Sequence, residues 1–366
     1  MNILIITYQG DVAGSTYSIS YLAKGLSERG HHICVACRRE SLLYRLLTDT
    51  AVVLIPMTFR SKWDSLAMQK IRDIVIQHHI QIINAQSSKD RYLSIFAKWR
   101  YRLPVAIVHT RRQKPESMGG YLQRQFYVHN TAKIVAISSE LKKEMVRNGF
   151  PEHHLQVIMN GIDPQKFAVD IPKEKQEQLR QHLQLSSADT VILCVARRKN
   201  QEQLIAALPF LANSIKVVLV GVAADSYSDL AQKLGVANRL RYAGVVPFEE
   251  LLAYYSIATL KVLPSTMDGF GMALIEAMGM GVPVIGTRSQ GIIDVIGADE
   301  KNGLLFDDNN IPQLVQQIQR FLSDEMLRKH YIEQGKKALV EQFSIQRTIQ
   351  EYEQFFQTLL VKHTKQ

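Results

Sequence analysis

The sequence has 366 residues, of which 46% are hydrophobic and 21% are charged, and these values exclude a largely disordered chain. Its net charge is +10, and no apolar run approaches the ~18 residues that a membrane span needs. The apolar opening segment 1–6 is too short for a signal-peptide core, so we expect a cytoplasmic protein made of two domains.

Strands and helices alternate through the first part of the chain. Apolar runs predict strands at 2–7, 32–37, 52–56, 80–85, 105–109 and 134–138, and helical spacing predicts a helix at 16–29. Such alternation is typical of an α/β fold in which helices cover both faces of a parallel sheet. Cys34 and Cys37 have the spacing of a redox or metal pair, but they lie in an apolar run and no second Cys/His pair supports them. We therefore interpret both as core residues and expect no metal site.

The excess of positive charge belongs to this first part. Residues 1–170 hold 23 Lys and Arg against 13 Asp and Glu, whereas the remainder holds 21 of each. A basic half of this kind can attract anionic lipid head groups or a phosphorylated glycan, or it can be an ordinary basic surface. Nucleic acid is the least favoured partner, because the basic residues are dispersed and accompany no binding module.

A second alternating series follows a pause in the pattern. No strand is predicted at 169–189, which places a linker near 165–175. Strands are then predicted at 190–195, 216–220, 240–242, 258–263 and 282–286. The amphipathic stretch 345–360 covers the second domain by default, and the alternative is that it packs back on the first domain.

The segment 263–284 carries the strongest site signal. A predicted strand ends at Leu263, a loop then presents Asp268, Gly269 and Gly271, and a helix begins near Met272. Ligands of open α/β sheets bind beyond the carboxyl ends of strands, and the amides that open a helix suit a phosphate. Asp268 can accept hydrogen bonds from sugar hydroxyls, and Glu276 can hold a ribose diol. The structural alternative is that the glycines form a turn, Asp268 caps the helix and Glu276 is a carboxylate that the helix dipole favours.

A basic triplet forms the second candidate. Arg197, Arg198 and Lys199 directly follow the predicted strand 190–195. Cations at the carboxyl end of a strand can neutralise a pyrophosphate leaving group, although an isolated triplet is more often solvated surface.

The segment around Asp268 resembles the carboxylate–seven residues–carboxylate motif of the family 4 retaining glycosyltransferases, which have the GT-B fold. The matching residues are Pro264-Ser265, Asp268-Gly269-Phe270-Gly271, Glu276-Ala277-Met278 and Gly281-Val282-Pro283-Val284. Segments 135–139, 157–167, 218–221, 291–296 and 302–306 also resemble family segments. The resemblance implies two Rossmann-like domains facing each other across a cleft. We place the acceptor-binding domain at 1–168, with 346–366 as a returning helix, and the donor-binding domain at 169–345.

The resemblance also implies a role for each site residue of the second domain. Asp268 would contact the donor sugar and Glu276 the ribose, while Arg197 and Lys199 would bind the diphosphate, with Arg198 as a rival to Arg197. The remaining substrate-binding residues are those of the loop and the helix start: Gly269, Phe270, Gly271, Met272 and Ala273.

In the first domain, Gly14 matches a family glycine in the loop that faces the donor, and His109 matches a histidine near the reacting sugar. Two departures from the family pattern stand out. Asp268 replaces the commoner Glu, so the carboxylate is one methylene shorter, and Ala13-Gly14-Ser15 has one glycine where two are frequent.

The function expected from this resemblance is transfer of a hexosyl group, with retention, from a nucleoside-diphosphate sugar to a hydroxyl of a glycan or lipid-linked acceptor. The expected donor is a UDP-sugar, with GDP- or ADP-sugar as alternatives, and no metal or other cofactor is expected. The expected setting is synthesis of lipopolysaccharide or another cell-surface polysaccharide, with peripheral association at the inner face of the membrane. The alternatives are a nucleotide-sugar epimerase or a degenerate sugar-nucleotide-binding protein on the same fold.

Overall fold

The computed structural model describes residues 1–11, 13–112, 120–266 and 269–363, without the side chains of Lys362 and His363. Contacts divide the chain into two units. Unit 1 comprises Met1–Gly161 and Ile345–Gln366, and unit 2 comprises Ile162–Ser344. The sequence placed these boundaries at 168 and 345.

Unit 1 is built on a parallel sheet of seven strands in the order β3-β2-β1-β4-β5-β6-β7. The strands are β1 (Asn2–Ile6), β2 (His32–Cys37), β3 (Val53–Pro56), β4 (Ile82–Ala85), β5 (Ala106–Arg111), β6 (Lys133–Ala136) and β7 (Leu155–Val157). The helices between them are α1 (Gly14–Glu28), α2 (Leu42–Leu47), α3 (Ser65–Gln77), α4 (Ser88–Tyr101), α5 (Tyr121–Asn130) and α6 (Ser139–Arg147). The central strands are apolar on both faces because helices cover both faces of the sheet.

Unit 2 repeats this architecture with six parallel strands in the order β10-β9-β8-β11-β12-β13. The strands are β8 (Thr190–Val195), β9 (Ile215–Val220), β10 (Leu240–Gly244), β11 (Leu260–Leu263), β12 (Val284–Thr287) and β13 (Leu304–Phe306). The helices are α7 (Lys173–His182), α8 (Glu202–Ala207), α9 (Ser228–Lys233), α10 (Phe248–Ser256), α11 (Met272–Gly279), α12 (Ile292–Ile296), α13 (Ile311–Ser323) and α14 (Glu325–Glu341). The expected pair of parallel-sheet α/β domains is confirmed, and the short strands β7 and β13 are additions to the predicted set.

The last helix, α15 (Ile345–His363), belongs to unit 1. Its buried residues Ile349, Tyr352 and Phe356 join the hydrophobic core formed by β1, β2 and α1. They recur at a spacing of three to four residues, so one face of the helix is apolar. The Tyr352 hydroxyl also lies 3.3 Å from the hydroxyl of Thr110, at the end of β5. In the part of the chain that the structure describes, each helix is too short or too polar to cross a bilayer.

This packing predicts how truncations along α15 affect stability. Phe356 is fully buried in the core of unit 1, so Phe356→Ala should lower the free energy of unfolding by roughly 3–5 kcal/mol, through lost burial and a residual cavity. Val361 is exposed on the same helix, and Val361→Ala should change the stability by less than about 0.5 kcal/mol. Urea denaturation of both variants measures the difference. Equal, small effects would contradict the assignment of α15 to this core.

Candidate functional site

The topology of unit 2 marks one place in its sheet. From β8 the chain moves outward through β9 and β10, and from β11 it moves the opposite way through β12 and β13. The connections that follow β8 and β11 therefore lead to opposite sides of the sheet, and such a switch point is where open α/β sheets bind their ligands. We call residues 196–200, after β8, the cation loop, and residues 264–271, after β11, the glycine loop. The structure thus brings two candidate sets that are far apart in sequence to neighbouring strand ends.

The cation loop is held in shape by the buried side chain of Gln201. Its amide nitrogen donates to the carbonyls of Arg197 (2.8 Å) and Ala196 (3.2 Å). Its amide oxygen accepts from the backbone N–H of Lys199 (2.6 Å) and from the hydroxyl of Tyr227 (2.8 Å). One side chain therefore satisfies four polar groups, which fixes the backbone that carries the three cations.

The three cations are not equivalent. Arg197 and Arg198 are exposed, and Lys199 is half-buried. The guanidinium of Arg198 lies 3.7 Å from the carboxylate of Glu202 and stacks over the ring of Tyr227 at 5.7 Å. Arg198 therefore already has an acidic partner on α8. This pairing favours Arg197 over Arg198 as the candidate for diphosphate binding.

The two loops also contact each other. The side-chain amide of Asn200 donates to the hydroxyl of Thr266 at 3.2 Å. Gly221, after β9, has φ +96°, and a Cβ there would lie 2.8 Å from the carbonyl oxygen of Ala196. A side chain at this position would push the cation loop away, so the close approach requires glycine.

The glycine loop leads into α11. Gly271 adopts the left-handed conformation (φ +66°) at the N-cap, a conformation that favours glycine, and the amides of Met272 and Ala273 open the helix. Phe270 is buried and packs edge-on against Phe343 at 6.0 Å, so its side chain anchors the loop within unit 2. Gly269 is half-buried. Asp268, the predicted sugar-binding acid, lies outside the described residues.

Glu276 lies on α11 in an unusual environment for a carboxylate. Burial raises its pKa from 4.5 to about 7, although the hydroxyl of Tyr255 and the charge of Lys261 both act to lower the pKa. The Tyr255 hydroxyl lies 2.9 Å from the carboxylate and 3.2 Å from the carbonyl of Ala273. Lys261 is fully buried in β11, and its ammonium donates to the carbonyl of Val195 at 3.2 Å. Glu276 therefore changes charge close to neutral pH.

Gly14 and His109 belong to unit 1. Gly14 opens α1, and a Cβ there would meet no described atom within 4 Å, so packing does not demand glycine. His109 is buried in β5. Its Nε2 accepts a hydrogen bond from Arg91 at 2.5 Å, and its Nδ1 donates to the carbonyl of Ala85 at 3.1 Å. We infer from these two partners that the proton of the neutral ring is on Nδ1. Burial, together with Arg91 and Arg111, lowers the pKa of His109 well below its usual value, so the ring is neutral.

Three arginines follow β4 or lie at the end of β5 in unit 1, and two of them, Arg91 and Arg111, lie close enough to interact electrostatically. Arg91 and Arg111 are both more than nine-tenths buried, and Arg112 donates to the side chains of Gln86 (3.0 Å) and Asn160 (2.9 Å). Burial lowers the pKa of Arg111 to about 10. Among the described residues no carboxylate forms a salt bridge with these guanidiniums, and the Nε atoms of Arg91 and Arg111 have no hydrogen-bond partner. The charge of Asp90 acts on Arg91 without a salt bridge. Buried guanidiniums that form no salt bridge with a described carboxylate are suited to bind an anion.

Sequence reasoning missed four residues that organise these sites: Gln201, Tyr255, Lys261 and Arg91. Lys261 carries a signal, because a lysine inside the apolar strand 260–263 must find a buried partner. Gln201 and Tyr255 carry none, since their partners depend on how separate elements pack.

The carboxylate of Glu276 predicts a pH-dependent stability difference. The folded pKa of about 7 lies above the unfolded value of 4.5, so the unfolded chain loses this proton first as pH rises. Glu276 therefore lowers the free energy of unfolding above about pH 4.5, and the loss is greatest above about pH 7. Glu276→Gln removes the charge and keeps the hydrogen-bonding shape. We expect the variant to gain on the order of 1–3 kcal/mol over wild type between about pH 5 and about pH 8.

Thermal unfolding across this pH range measures the gain, with Glu249→Gln as the control for loss of an exposed carboxylate. A stability difference between wild type and Glu276→Gln that does not change with pH would show that Glu276 is charged throughout.

Comparison with known families agrees with this geometry. The profile described as "Glycosyltransferase Family 4" matches residues 12–166, and the profile described as "Glycosyl transferases group 1" matches residues 175–338. The two matches fall on the two parallel-sheet units.

Individual proteins resemble the chain over long stretches. It is 29% identical over 224 residues to an uncharacterized glycosyltransferase of Methanocaldococcus jannaschii, and the aligned stretch covers 59% of this chain and 57% of that protein. It is 22% identical over 294 residues to a capsular polysaccharide biosynthesis glycosyltransferase of Staphylococcus aureus, covering 76% and 77% of the two chains. The chain therefore spans little more than half the length of the archaeal relative.

Among solved structures, Anabaena HepE in complex with UDP-glucose matches with a TM-score of 0.81 at 19% identity, over 98% of this chain and 100% of that chain. This likeness identifies the fold. The chain belongs to the family 4 glycosyltransferases and has their GT-B fold.

Proposed function

We propose that the chain is a retaining glycosyltransferase that moves a hexosyl group from a UDP-sugar to a hydroxyl of a lipid-linked or cell-surface glycan acceptor. The observation that carries the proposal is the meeting of the cation loop, the start of α11 and Glu276 at the switch point of unit 2. The UDP-glucose bound by Anabaena HepE supports a uridine nucleotide donor, and GDP- or ADP-sugars remain alternatives. The relative that takes part in capsular polysaccharide synthesis supports a cell-surface glycan product.

In this proposal the donor diphosphate lies between the cation loop and the first amides of α11. Negative charge grows on the diphosphate as the bond to the sugar breaks. Arg197 and Lys199 supply fixed positive charge, and the amides of Met272 and Ala273 supply hydrogen-bond donors in an orientation set before the reaction. These groups stabilise the leaving diphosphate without a metal ion.

Glu276 receives the ribose hydroxyls in the same arrangement. Hydroxyl groups donate more strongly to a charged carboxylate than to a neutral one. Because the pKa of Glu276 is about 7, binding of a UDP-sugar should tighten as pH rises through neutrality. We propose that Asp268 binds the sugar hydroxyls, and that neutral His109 is a positioning residue for Arg91.

The basic unit 1 is proposed to bind the acceptor. Arg91 and Arg111 are buried at the carboxyl edge of its sheet, and we propose that they bind an anionic group of the acceptor. A pocket of about 240 Å³ beyond β2 and β3 is lined in part by Arg39, Arg60 and Lys70, together with the acidic Glu40 and Asp64. The buried arginines favour an acceptor that carries phosphate groups.

An exposed aromatic surface in unit 1 supports association with a lipid bilayer. Trp63 and Trp99 are 65% and 53% exposed. Trp63 stacks on Phe96 at 4.5 Å between ring centroids, and Trp99 lies tilted against the same ring at 5.9 Å. Lys62 lies over the ring of Trp63 at 5.7 Å. Exposed tryptophans beside lysine and arginine are typical of surfaces that insert at an anionic membrane interface. We propose peripheral membrane association through this surface.

Release of nucleoside diphosphate tests the transferase proposal. We expect UDP to be released from UDP-glucose or another UDP-hexose when a membrane lipid extract is present, and the new glycosidic bond to keep the anomeric configuration of the donor, as read by NMR. Conversion of the donor sugar without release of UDP would identify an epimerase. Binding without either reaction, across the UDP-, GDP- and ADP-sugars, would identify a sugar-nucleotide-binding protein.

The same preparation tests the cation loop. Arg197→Ala and Lys199→Ala should each raise the Kd for UDP by about 10–100-fold, because each removes a charge-assisted hydrogen bond to phosphate. Lys233→Ala, an exposed lysine on α9, is the matched control and should leave the Kd unchanged. Isothermal titration calorimetry measures all three. Variants that bind UDP as tightly as wild type would place the diphosphate elsewhere.

Sedimentation with anionic liposomes tests the aromatic surface. The double variant Trp63→Ala, Trp99→Ala should reduce the bound fraction at low salt by at least about tenfold in the partition coefficient, because two large apolar side chains lose their burial in the interface. Phe210→Ala, an exposed aromatic residue of unit 2, is the control. Wild-type protein that fails to sediment at both low and high salt would contradict the membrane proposal.

A further inference from the structure

Three potential metal ligands converge at the amino-terminal edge of the sheet in unit 1. His32 is the first residue of β2, and Cys34 lies two residues further on the same face of that strand. His78 is the C-cap of α3. No second Cys/His pair accompanies Cys34 and Cys37 in the sequence, but in the fold Cys34 lies beside His32 and His78, the second of them distant in sequence.

The two distances from His32 suit a tetrahedral ion. The Nε2 atom of His32 lies 3.2 Å from Nδ1 of His78 and 3.6 Å from Sγ of Cys34. The three ligand atoms all lie within 4.8 Å of one another. For zinc with bonds of ~2.0–2.1 Å to nitrogen and ~2.3 Å to sulfur, tetrahedral angles place two nitrogens roughly 3.3 Å apart and a nitrogen and a sulfur roughly 3.6 Å apart.

Hydrogen bonding alone satisfies this arrangement poorly. Nε2 of His32 is the atom that approaches both other ligands, and it offers either one proton or one lone pair. It can therefore form one good hydrogen bond with His78 or Cys34, and the other contact is left weak. A metal ion would use one lone pair from each of the three atoms.

The surrounding backbone holds the ligands in place. Asn2 is the β1 partner of His32 in the sheet register, and its side-chain amide donates to the carbonyls of His78 (3.2 Å) and His79 (3.1 Å). Asn2 thus links the end of α3 to the start of β2. The carboxyl end of a helix carries partial negative charge, which favours a cation beside His78. His32 is exposed and His78 half-buried, so an ion can enter from solvent.

We propose that His32, Cys34 and His78 form a binding site for a divalent ion of the zinc class. Two imidazoles and a thiolate are the ligand set that zinc prefers, and a water molecule would complete the tetrahedron. The thiolate is the form of cysteine that binds a metal, so Cys34 would release its proton as the sulfur–metal bond forms.

The site would act on stability rather than on the transfer reaction. It lies at the amino-terminal edge of the sheet, whereas His109 and Arg111 lie toward the carboxyl end of β5. A bound ion would join the end of α3 to the start of β2. Binding to the folded state alone raises the melting temperature by mass action.

Titration of the full chain with Co²⁺ tests the site, because a thiolate–cobalt bond gives a charge-transfer absorption band that imidazole ligands do not give. We expect a band that saturates at one equivalent of Co²⁺ and disappears when excess Zn²⁺ is added, with a rise in melting temperature. The band should be lost in Cys34→Ala and kept in Cys37→Ala, a buried cysteine of the same strand.

Two variants of neighbouring histidines test whether His78 is a ligand. His78→Gln should weaken Zn²⁺ binding by at least about tenfold, whereas His79→Gln, at the neighbouring exposed position, should leave it unchanged. Absence of the charge-transfer band in the wild-type protein would overturn the proposal. So would a band that survives Cys34→Ala, or Zn²⁺ affinity that His78→Gln does not lower.

Discussion

The direction of the chain crossovers in unit 2 governs every other feature of the candidate donor site. Because β8 and β11 are neighbours, the connections after them lead in opposite directions across the sheet and leave an opening at the ends of these two strands. The cation loop and the glycine loop meet there although about 70 residues separate them in sequence. Without that reversal, helices would cover both strand ends, and neither the cations nor the start of α11 could approach a diphosphate.

Buried polar groups keep this opening in a fixed shape. Gln201 fixes the backbone of the cation loop, and Lys261 ties the interior of β11 to the end of β8. Tyr255 places the carboxylate of Glu276, which burial holds near its point of ionisation. A site organised in advance needs little rearrangement when charge develops on a leaving group. Each such group costs desolvation energy, so its partners are part of the function as well as of the fold.

The sequence predicts the architecture well because periodicity and composition are local signals. Apolar runs located eleven of the thirteen strands, and the glycines and cations after two of them indicate the candidate donor site. It could not predict contacts that depend on packing between distant segments, such as those of Tyr255 with Glu276, Arg91 with His109 and Cys34 with His78. The strand β13 was missed because its three residues are too short for a periodic pattern.

The central claim is that the switch point of unit 2 binds a nucleoside-diphosphate sugar. A crystal structure of the protein with UDP tests it most directly. We expect the ribose at the carboxylate of Glu276 and the diphosphate between the amides of Met272 and Ala273 and the cations Arg197 and Lys199. Electron density for UDP at any other position, with the ends of β8 and β11 unliganded, would contradict donor binding at the switch point.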